Sequence, residues 1–130
     1  AGQELCATHK PSLFDKDPIA WDGFGSARDL TPLMQTMARI KHEVLGTDDF
    51  IRYAADDAND IAVIDRLGTG GRSVGVFSLK SHTAPVKLDL PDGSYLNLID
   101  DSSVQVTEGR LLCTGQPVVL HVDTGVEAMV

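Results

Sequence analysis

A glycine-rich run and three aspartate clusters are the residues of this 130-residue chain whose types could bind phosphate or a metal ion. The run Gly68–Ser73 lacks the Gly-Lys-Ser/Thr of a Walker loop and opens onto no helical pattern, so we interpret it as a flexible connection between two strands. The aspartate clusters are Asp48-Asp49, Asp56-Asp57 with Asp60, and Asp100-Asp101. Counted from Asp56, the sixth and twelfth positions hold Ile61 and Leu67, where a calcium loop needs glycine and glutamate. We therefore expect turn-forming aspartates and no metal site.

The histidines, serines and cysteines form no recognisable catalytic or ligand set. The histidines, which we expect at the surface or at an interface, are His9, His42, His82 and His121. Ser26 lies in Gly-Phe-Gly-Ser-Ala, which is not a Gly-x-Ser-x-Gly nucleophile elbow. Cys6 and Cys113 stand near opposite ends and are expected to be free thiols, with a single disulfide as the alternative. The sequence thus predicts no catalytic residue and no cofactor within this chain.

Three aromatic residues could bind a sugar. The faces of Trp21, Phe24 and Tyr95 could stack on sugar rings, although Trp21 could equally anchor its loop on the core. Aromatic residues make up only 5% of the chain, so few rings are available to form an exposed sugar-binding platform.

The charge balance restricts the kind of partner. Eleven Lys and Arg are scattered among 19 Asp and Glu, giving a net charge of −8 that disfavours nucleic acids and anionic membranes. No run approaches the roughly 20 apolar residues of a membrane-spanning helix. Neutral ligands, including sugars, and protein partners remain.

One helix is predicted after a long irregular segment. Residues 1–27 carry glycine and proline without periodicity, as loops do. Apolar residues then recur at helical spacing at Leu30, Leu33, Met34, Met37, Ile40, Val44 and Leu45. We expect Thr31 as N-cap, Pro32 at the first helical position and Gly46 as a left-handed C-cap.

The sequence after the helix is predicted to form β-strands. The predicted strands are Phe50–Ala54, Ile61–Leu67, Ser73–Lys80, Pro85–Leu90, Ser94–Ile99, Ser103–Thr107, Leu111–Thr114 and Val118–Val122. Val86, Leu88 and Leu90 are predicted to point inward, and Pro91-Asp92-Gly93 and Glu108-Gly109 to form tight hairpin turns. About eight short strands with frequent turns indicate a mainly β fold, an antiparallel β-sandwich preceded by a loop and one amphipathic helix.

Several motifs resemble the α-amylase family of glycoside hydrolases, in the family's order. Ala1–Glu4 resembles the end of its Tyr-x-Gly-x-Glu segment, and Phe14–Trp21 resembles its Phe-x-Lys/Arg-Asp-x-Ile-x-Trp stretch. The helix resembles the last helix of the family's (β/α)8 barrel, although Arg39-Ile40-Lys41 departs slightly from Ala-Leu-Arg-Lys. Val74–Leu79 and Pro91–Leu98 resemble strands of the C-terminal sandwich, with Asn97 at the Asp of Gly-x-Tyr-x-Asp-Leu.

The resemblance implies a chain without its own active site. It places residues 1–47 as a remnant of the catalytic barrel and residues 48–130 as the C-terminal sandwich, with the three catalytic carboxylates before Ala1. Glu4 would have at most a supporting role in the parent enzyme, which acts on α-glucans with retention. The implied partner is the barrel of the same polypeptide, and an isolated chain could self-associate through its helix. The alternative is a free-standing carbohydrate-binding module.

Overall fold

The computed structural model describes residues 2–47 and 49–123. By contacts the chain divides into two units, Ala1–Arg39 and Ile40–Val130. The first contains two short 3-10 turns, Gln3–Leu5 and Trp21–Gly23, and the beginning of helix α1 (Thr31–Glu43). No helix in the described ranges has the length and apolar character required to cross a membrane.

Both predicted caps of α1 are wrong. Thr31 is already helical, and its buried hydroxyl lacks a hydrogen-bond partner among the described residues. Asp29 instead accepts a hydrogen bond from the backbone N–H of Thr31 at 2.9 Å, so the capping carboxylate lies two residues earlier. Gly46 does not have the positive φ of a left-handed cap, and α1 already ends at Glu43. The Gly46 N–H instead donates to the Asp49 carboxylate at 3.0 Å.

Eight strands form two antiparallel sheets, which confirms the mainly β sandwich. The strands are β1 (Phe50–Asp56), β2 (Ile61–Gly68), β3 (Gly71–Ser78), β4 (Thr83–Lys87), β5 (Gly93–Leu96), β6 (Ser103–Thr107), β7 (Arg110–Thr114) and β8 (Val118–Val122). Sheet A has the order β1-β2-β3-β8, and sheet B has the order β4-β7-β6-β5. All eight predicted strands exist, and their boundaries shift by at most a few residues.

One apolar layer lies between the inner faces of the sheets. Sheet A contributes side chains such as Val74, Val76 and Leu120, and sheet B contributes Leu111 and Cys113, all at most 1% exposed. The predicted alternation after β4 is confirmed, since Val86, Leu88 and Leu90 are 3–6% exposed between exposed Lys87 and Asp89. Alternate residues of the inner strands thus form one shared core, whereas the edge strand β1 is exposed along nearly its whole length.

Two of the three expected turns connect adjacent strands. The glycine-rich run joins β2 to β3, with Gly68 paired to Gly71. Glu108 and Gly109 have φ of 53° and 68° between β6 and β7, the positive values of a two-residue hairpin turn. The segment Pro91–Gly93 is not a hairpin turn, because β4 and β5 lie at opposite edges of sheet B. Its Asp92 carboxylate instead accepts the N–H groups of Glu108 and Gly109, both at 2.9 Å.

The chain crosses between the sheets twice, after β3 and after β7. Gly115 in the second crossing has a φ of 91°, and a Cβ there would lie 2.9 Å from the carbonyl oxygen of Ser81 in the first. The two crossings thus pack against each other at a position that only glycine fits without strain.

An arginine on sheet A connects the two sheets. Arg72 of β3 donates to the carbonyl oxygens of Leu88 and Asp89, which follow β4 of sheet B, at 2.8 and 3.0 Å. Its guanidinium also donates to the Asp65 carboxylate at 2.9 and 3.1 Å, and Arg52 donates to the same carboxylate. Burial raises the pKa of Asp65, but the hydrogen bonds from Arg72 and Arg52 outweigh this and hold the pKa below its ordinary value.

A buried asparagine connects the sheets a second time. Asn97 follows β5 of sheet B and is 3% exposed. Its side-chain oxygen accepts the N–H groups of Val119 in β8 and of Ile99, at 3.0 and 3.2 Å. Its amide nitrogen donates to the carbonyl oxygen of Pro117 at 3.2 Å. One side chain thus satisfies three backbone groups around the start of β8.

We predict that Asn97→Ala lowers the free energy of unfolding by about 3 kcal/mol, because it leaves these backbone groups without partners. Asn97→Asp should lose less, since its carboxylate can still accept the N–H groups of Val119 and Ile99 and loses only the donor to Pro117. Asn59→Ala, in the β1–β2 turn, is the control and should have a small effect. Urea unfolding followed by circular dichroism measures all three; equal losses for Asn97→Ala and Asn59→Ala would contradict the prediction.

The lowered pKa of Asp65 predicts acid sensitivity. A carboxylate whose folded-state pKa is depressed stabilises the fold above its unfolded pKa of about 3.9 and loses this contribution as the pH falls through the folded value. Asp65→Asn should therefore be less stable than wild type at pH 7, with the difference shrinking below about pH 4. Asp57→Asn, at an exposed turn position, is the control variant. A difference that stays constant in urea titrations from pH 7 to pH 2.5 would refute the ion-pair origin.

Candidate functional site

The first unit contains a cavity of about 500 Å³ built by the loop that precedes α1. Side chains around it include apolar Leu5 and Ile19 and polar Thr8, His9, Asp17 and Arg28. The 3-10 turn Gln3–Leu5 holds one side, because Leu5 is 3% exposed and the N–H of Leu30 donates to the Glu4 carbonyl oxygen at 2.6 Å. The loop thus closes on itself and presents polar groups above an apolar floor.

A histidine–aspartate pair lies among the polar residues of this cavity. The Asp17 carboxylate contacts Nε2 of His9 at 2.9 and 3.0 Å and accepts the Ser12 N–H at 2.9 Å. The Ser12 N–H, followed by the hydrogen bond with His9, holds the pKa of Asp17 below its ordinary value. An ionised carboxylate fixes the orientation of the imidazole, which can then hydrogen-bond a hydroxyl-bearing ligand.

Two of the predicted aromatic residues, Trp21 and Phe24, pack against each other. Trp21 and Phe24 stack on each other, with ring centroids 6.0 Å apart and an interplanar angle of 15°. They are 58% and 50% exposed, so the loop is anchored by Leu5 against the buried Gly23 rather than by Trp21. The proposed sugar-stacking role of Trp21 stays a prediction.

Tyr95 belongs to the second unit and faces the core of the sandwich. Its ring packs against the core cluster, and its hydroxyl donates to the Pro91 carbonyl oxygen at 2.7 Å. Glu4 lies in the turn Gln3–Leu5 of the first unit and is partly buried. The sugar-binding role of Tyr95 and the supporting role of Glu4 stay predictions.

Asp56 and Asp100 are confirmed as turn formers, whereas Asp49 accepts hydrogen bonds from the Gly46 N–H and from Arg66. Asp56 accepts the N–H groups of Ala58 and Asn59, and Asp100 accepts that of Ser102 at 3.0 Å. Asp48 lies outside the described residues. Across the described ranges, no three His, Cys, Asp or Glu side chains are placed to hold a metal ion.

The histidines divide into exposed and partly buried. The side chains of His9 and His82 are 60% and 46% exposed, and His42 is exposed in the last turn of α1. His121 differs, because its side chain is 19% exposed and its Nδ1 lies 2.8 Å from the hydroxyl of buried Ser73. Its Nε2 contacts Asp123 at 3.2 Å. Ser73 and His121 are direct cross-strand neighbours, so this contact ties β3 to β8.

Sequence reasoning missed the His9–Asp17 pair and the inter-sheet role of Arg72. A spacing of eight residues within an irregular loop gives no indication that two side chains meet. The Arg52–Asp65 contact had a signal, because the two residues lie directly opposite in the β1–β2 register.

Comparisons with known proteins agree on the second unit. A family model described as the bacterial alpha amylase C-terminal domain matches residues 52–120. Among solved structures, an alpha-amylase from Lactobacillus plantarum is similar, with a TM-score of 0.74 and 34% sequence identity over 93% of this chain. The chain spans 28% of the length of that α-amylase. No curated protein matches this chain.

We predict that Phe24→Ala shifts the emission of Trp21, the only tryptophan, to longer wavelength and increases its quenching by acrylamide. The reason is that Phe24 covers one face of the indole. Phe50→Ala, which removes an exposed phenylalanine of the second unit, is the control. An unchanged Trp21 spectrum in Phe24→Ala would show that the aromatic pair does not persist in solution.

Proposed function

Because the chain belongs to the family of bacterial α-amylase C-terminal domains, we propose that it is the non-catalytic C-terminal region of an α-amylase-family hydrolase acting on α-glucans. In this proposal residues 48–130 stabilise a catalytic barrel of the same polypeptide, and residues 1–47 are part of that barrel. The catalytic carboxylates lie in the barrel, and Glu4 supports them at most. The match to an α-amylase that is longer than this chain supports the proposal.

The observation that carries the stabilising role is the composition of the outer face of sheet A. Alternation places the residues between the core positions on this face. Most of them are apolar or glycine, namely Ile51, Tyr53, Ala55, Ala62, Ile64, Gly75, Phe77 and Val119. Arg66, Ser73 and His121 form a polar row at one end of the face. An antiparallel sheet with a solvated outer face carries polar residues there, whereas a sheet packed on both faces is apolar on both.

The exposed part of this face is the part available to the barrel. Tyr53 and Ile51 of the edge strand β1 are 74% and 37% exposed, whereas Val119 near the opposite edge is 6% exposed. The aromatic ring of Phe77 lies over Gly75, where a Cβ would come within 2.6 Å of it. Such a flat apolar surface fits another apolar surface of the same protein.

Activity tests the proposal directly. The 130-residue chain should not hydrolyse soluble starch, whereas the full product of the gene that carries it should do so with retention. Turnover by the purified chain, or a gene product without a barrel, would overturn the proposal.

A substitution on the outer face tests the stabilising role. In the full gene product, Tyr53→Asp should lower the melting temperature by several degrees, since it places a charge in an apolar contact worth about 1–2 kcal/mol. Leu112→Asp is the matched control, because Leu112 is 59% exposed on the outer face of sheet B. Both substitutions should leave the stability of the 130-residue chain nearly unchanged. Equal losses for the two variants in the full product would contradict a barrel contact through sheet A.

The apolar stripe of α1 supports self-association of the chain when it is expressed alone. Leu33, Met34 and Met37 are 40%, 49% and 37% exposed. We expect a dimer or larger species in size-exclusion chromatography with light scattering, and a monomer for Met34→Glu with Met37→Glu. Lys41→Glu, at an exposed position of the same helix, controls for the added charge. A monomeric wild-type chain would refute this expectation.

A further inference from the structure

A cleft of about 230 Å³ lies on the inner face of sheet A, where sheet B does not reach the edge strand β1. Ala54 lies on this face opposite Val63 of β2 and is exposed, whereas Val74 on the same face is 1% exposed. The floor of the cleft is therefore apolar, formed by Ala54, Val63 and Val74. The volume is below the roughly 300–1,000 Å³ of pockets for drug-sized ligands, so it suits a single ring.

One wall of the cleft is rigid and polar. Asp65 accepts hydrogen bonds from both Arg52 and Arg72, and Arg72 is fixed further by the carbonyl oxygens of Leu88 and Asp89. The side chains of Asp65 and Arg72 are only 12% and 18% exposed, whereas that of Arg52 is 62% exposed. Part of the Arg52 guanidinium thus faces solvent while its other side is held in place. A ligand here would meet donors that the fold already holds in place, so binding would cost little further side-chain entropy.

The opposite wall offers a donor and an acceptor side by side. Lys87 and Asp89 form an ion pair at 3.2 Å, with side chains 71% and 73% exposed. The cleft therefore carries three cationic and two anionic groups, and each of them has an oppositely charged neighbour.

From this arrangement we propose that the cleft binds one pyranose ring of a neutral saccharide. Hydroxyl groups donate to carboxylates and accept from guanidinium or ammonium groups, so a polyol can bridge both walls without breaking an ion pair. The C–H face of the ring would lie on Ala54 and Val63. An anion would face Asp65 and Asp89, and a cation would face Arg52, Arg72 and Lys87. The cleft lies within the sandwich and shares Tyr53 with the face proposed to contact the barrel, so its test uses the 130-residue chain alone.

Nuclear magnetic resonance of the ¹⁵N-labelled 130-residue chain with maltose tests this proposal. We expect saturable shifts of the backbone amides of Ala54, Val63 and Leu88, with a Kd on the order of 1 mM. The same titration with inorganic phosphate should give no saturable shifts at these amides. Absence of saturation with maltose, or stronger binding of phosphate, would overturn the proposal.

Two variants localise the binding. Ala54→Phe fills the cleft from an exposed strand position that tolerates an aromatic residue, and should weaken maltose binding at least tenfold. Lys87→Ala removes one wall donor and should weaken it about threefold, a typical loss for one exposed hydrogen bond. Lys80→Ala is the matched control, since Lys80 forms a comparable exposed ion pair with Asp60 at 3.1 Å outside the cleft.

The binding results of the variants decide whether the saccharide occupies this cleft. Dispersed amide spectra establish that each variant is folded. A folded Ala54→Phe chain that binds maltose as well as wild type places the saccharide elsewhere and refutes the site, as does an equal loss in Lys87→Ala and Lys80→Ala. Because these measurements use the chain alone, a negative result leaves the starch assay of the full gene product unaffected.

Discussion

The second unit depends on one apolar layer shared by two sheets. Each sheet has four strands, and neither could remain folded with its inner face in water. The layer closes only because the chain crosses between the sheets twice, with the crossings packed at Gly115 and Ser81. Polar groups then fix the relative position of the sheets: Arg72 reaches carbonyl groups after β4, and Asn97 satisfies backbone groups around β8. Apolar burial supplies the driving force, and these hydrogen bonds select one alignment.

The difference between its two faces explains how sheet A could serve two contacts. Its inner face is committed to sheet B, and its outer face is apolar without a second sheet to cover it. The proposed barrel contact uses the outer face, whereas the proposed saccharide site uses the uncovered margin of the inner face beside Ala54. Both proposals involve β1, the edge strand of sheet A, which carries Ile51 and Tyr53 on the outer face and Ala54 beside the cleft.

Sequence patterns predicted the helix and strands better than they predicted which strands pair and which side chains meet. Alternation at Val86, Leu88 and Leu90 identified core positions correctly, and Glu108-Gly109 identified a hairpin turn, because both signals are local. Pro91–Gly93 misled, since its composition is that of a hairpin turn but its flanking strands are the two edges of sheet B. The predicted N-cap is wrong because Asp29 accepts the N–H of Thr31, and the predicted C-cap is wrong because α1 ends before Gly46. The His9–Asp17 pair and the Arg72 contacts depend on tertiary geometry, which no local pattern encodes.

The pairing of β8 with β3 has a consequence for synthesis of the protein. β8 is the last strand of the described chain, yet it pairs with a strand more than 40 residues earlier and supplies the fully buried Leu120. Until β8 leaves the ribosome, β3 is an open edge with Val74 and Val76 incompletely covered, which is a surface prone to aggregation. Chains that terminate before β8 therefore cannot complete the sandwich. In such a truncated chain the edge of β3 and part of the apolar layer would stay open, so β8 is the strand that closes the sandwich.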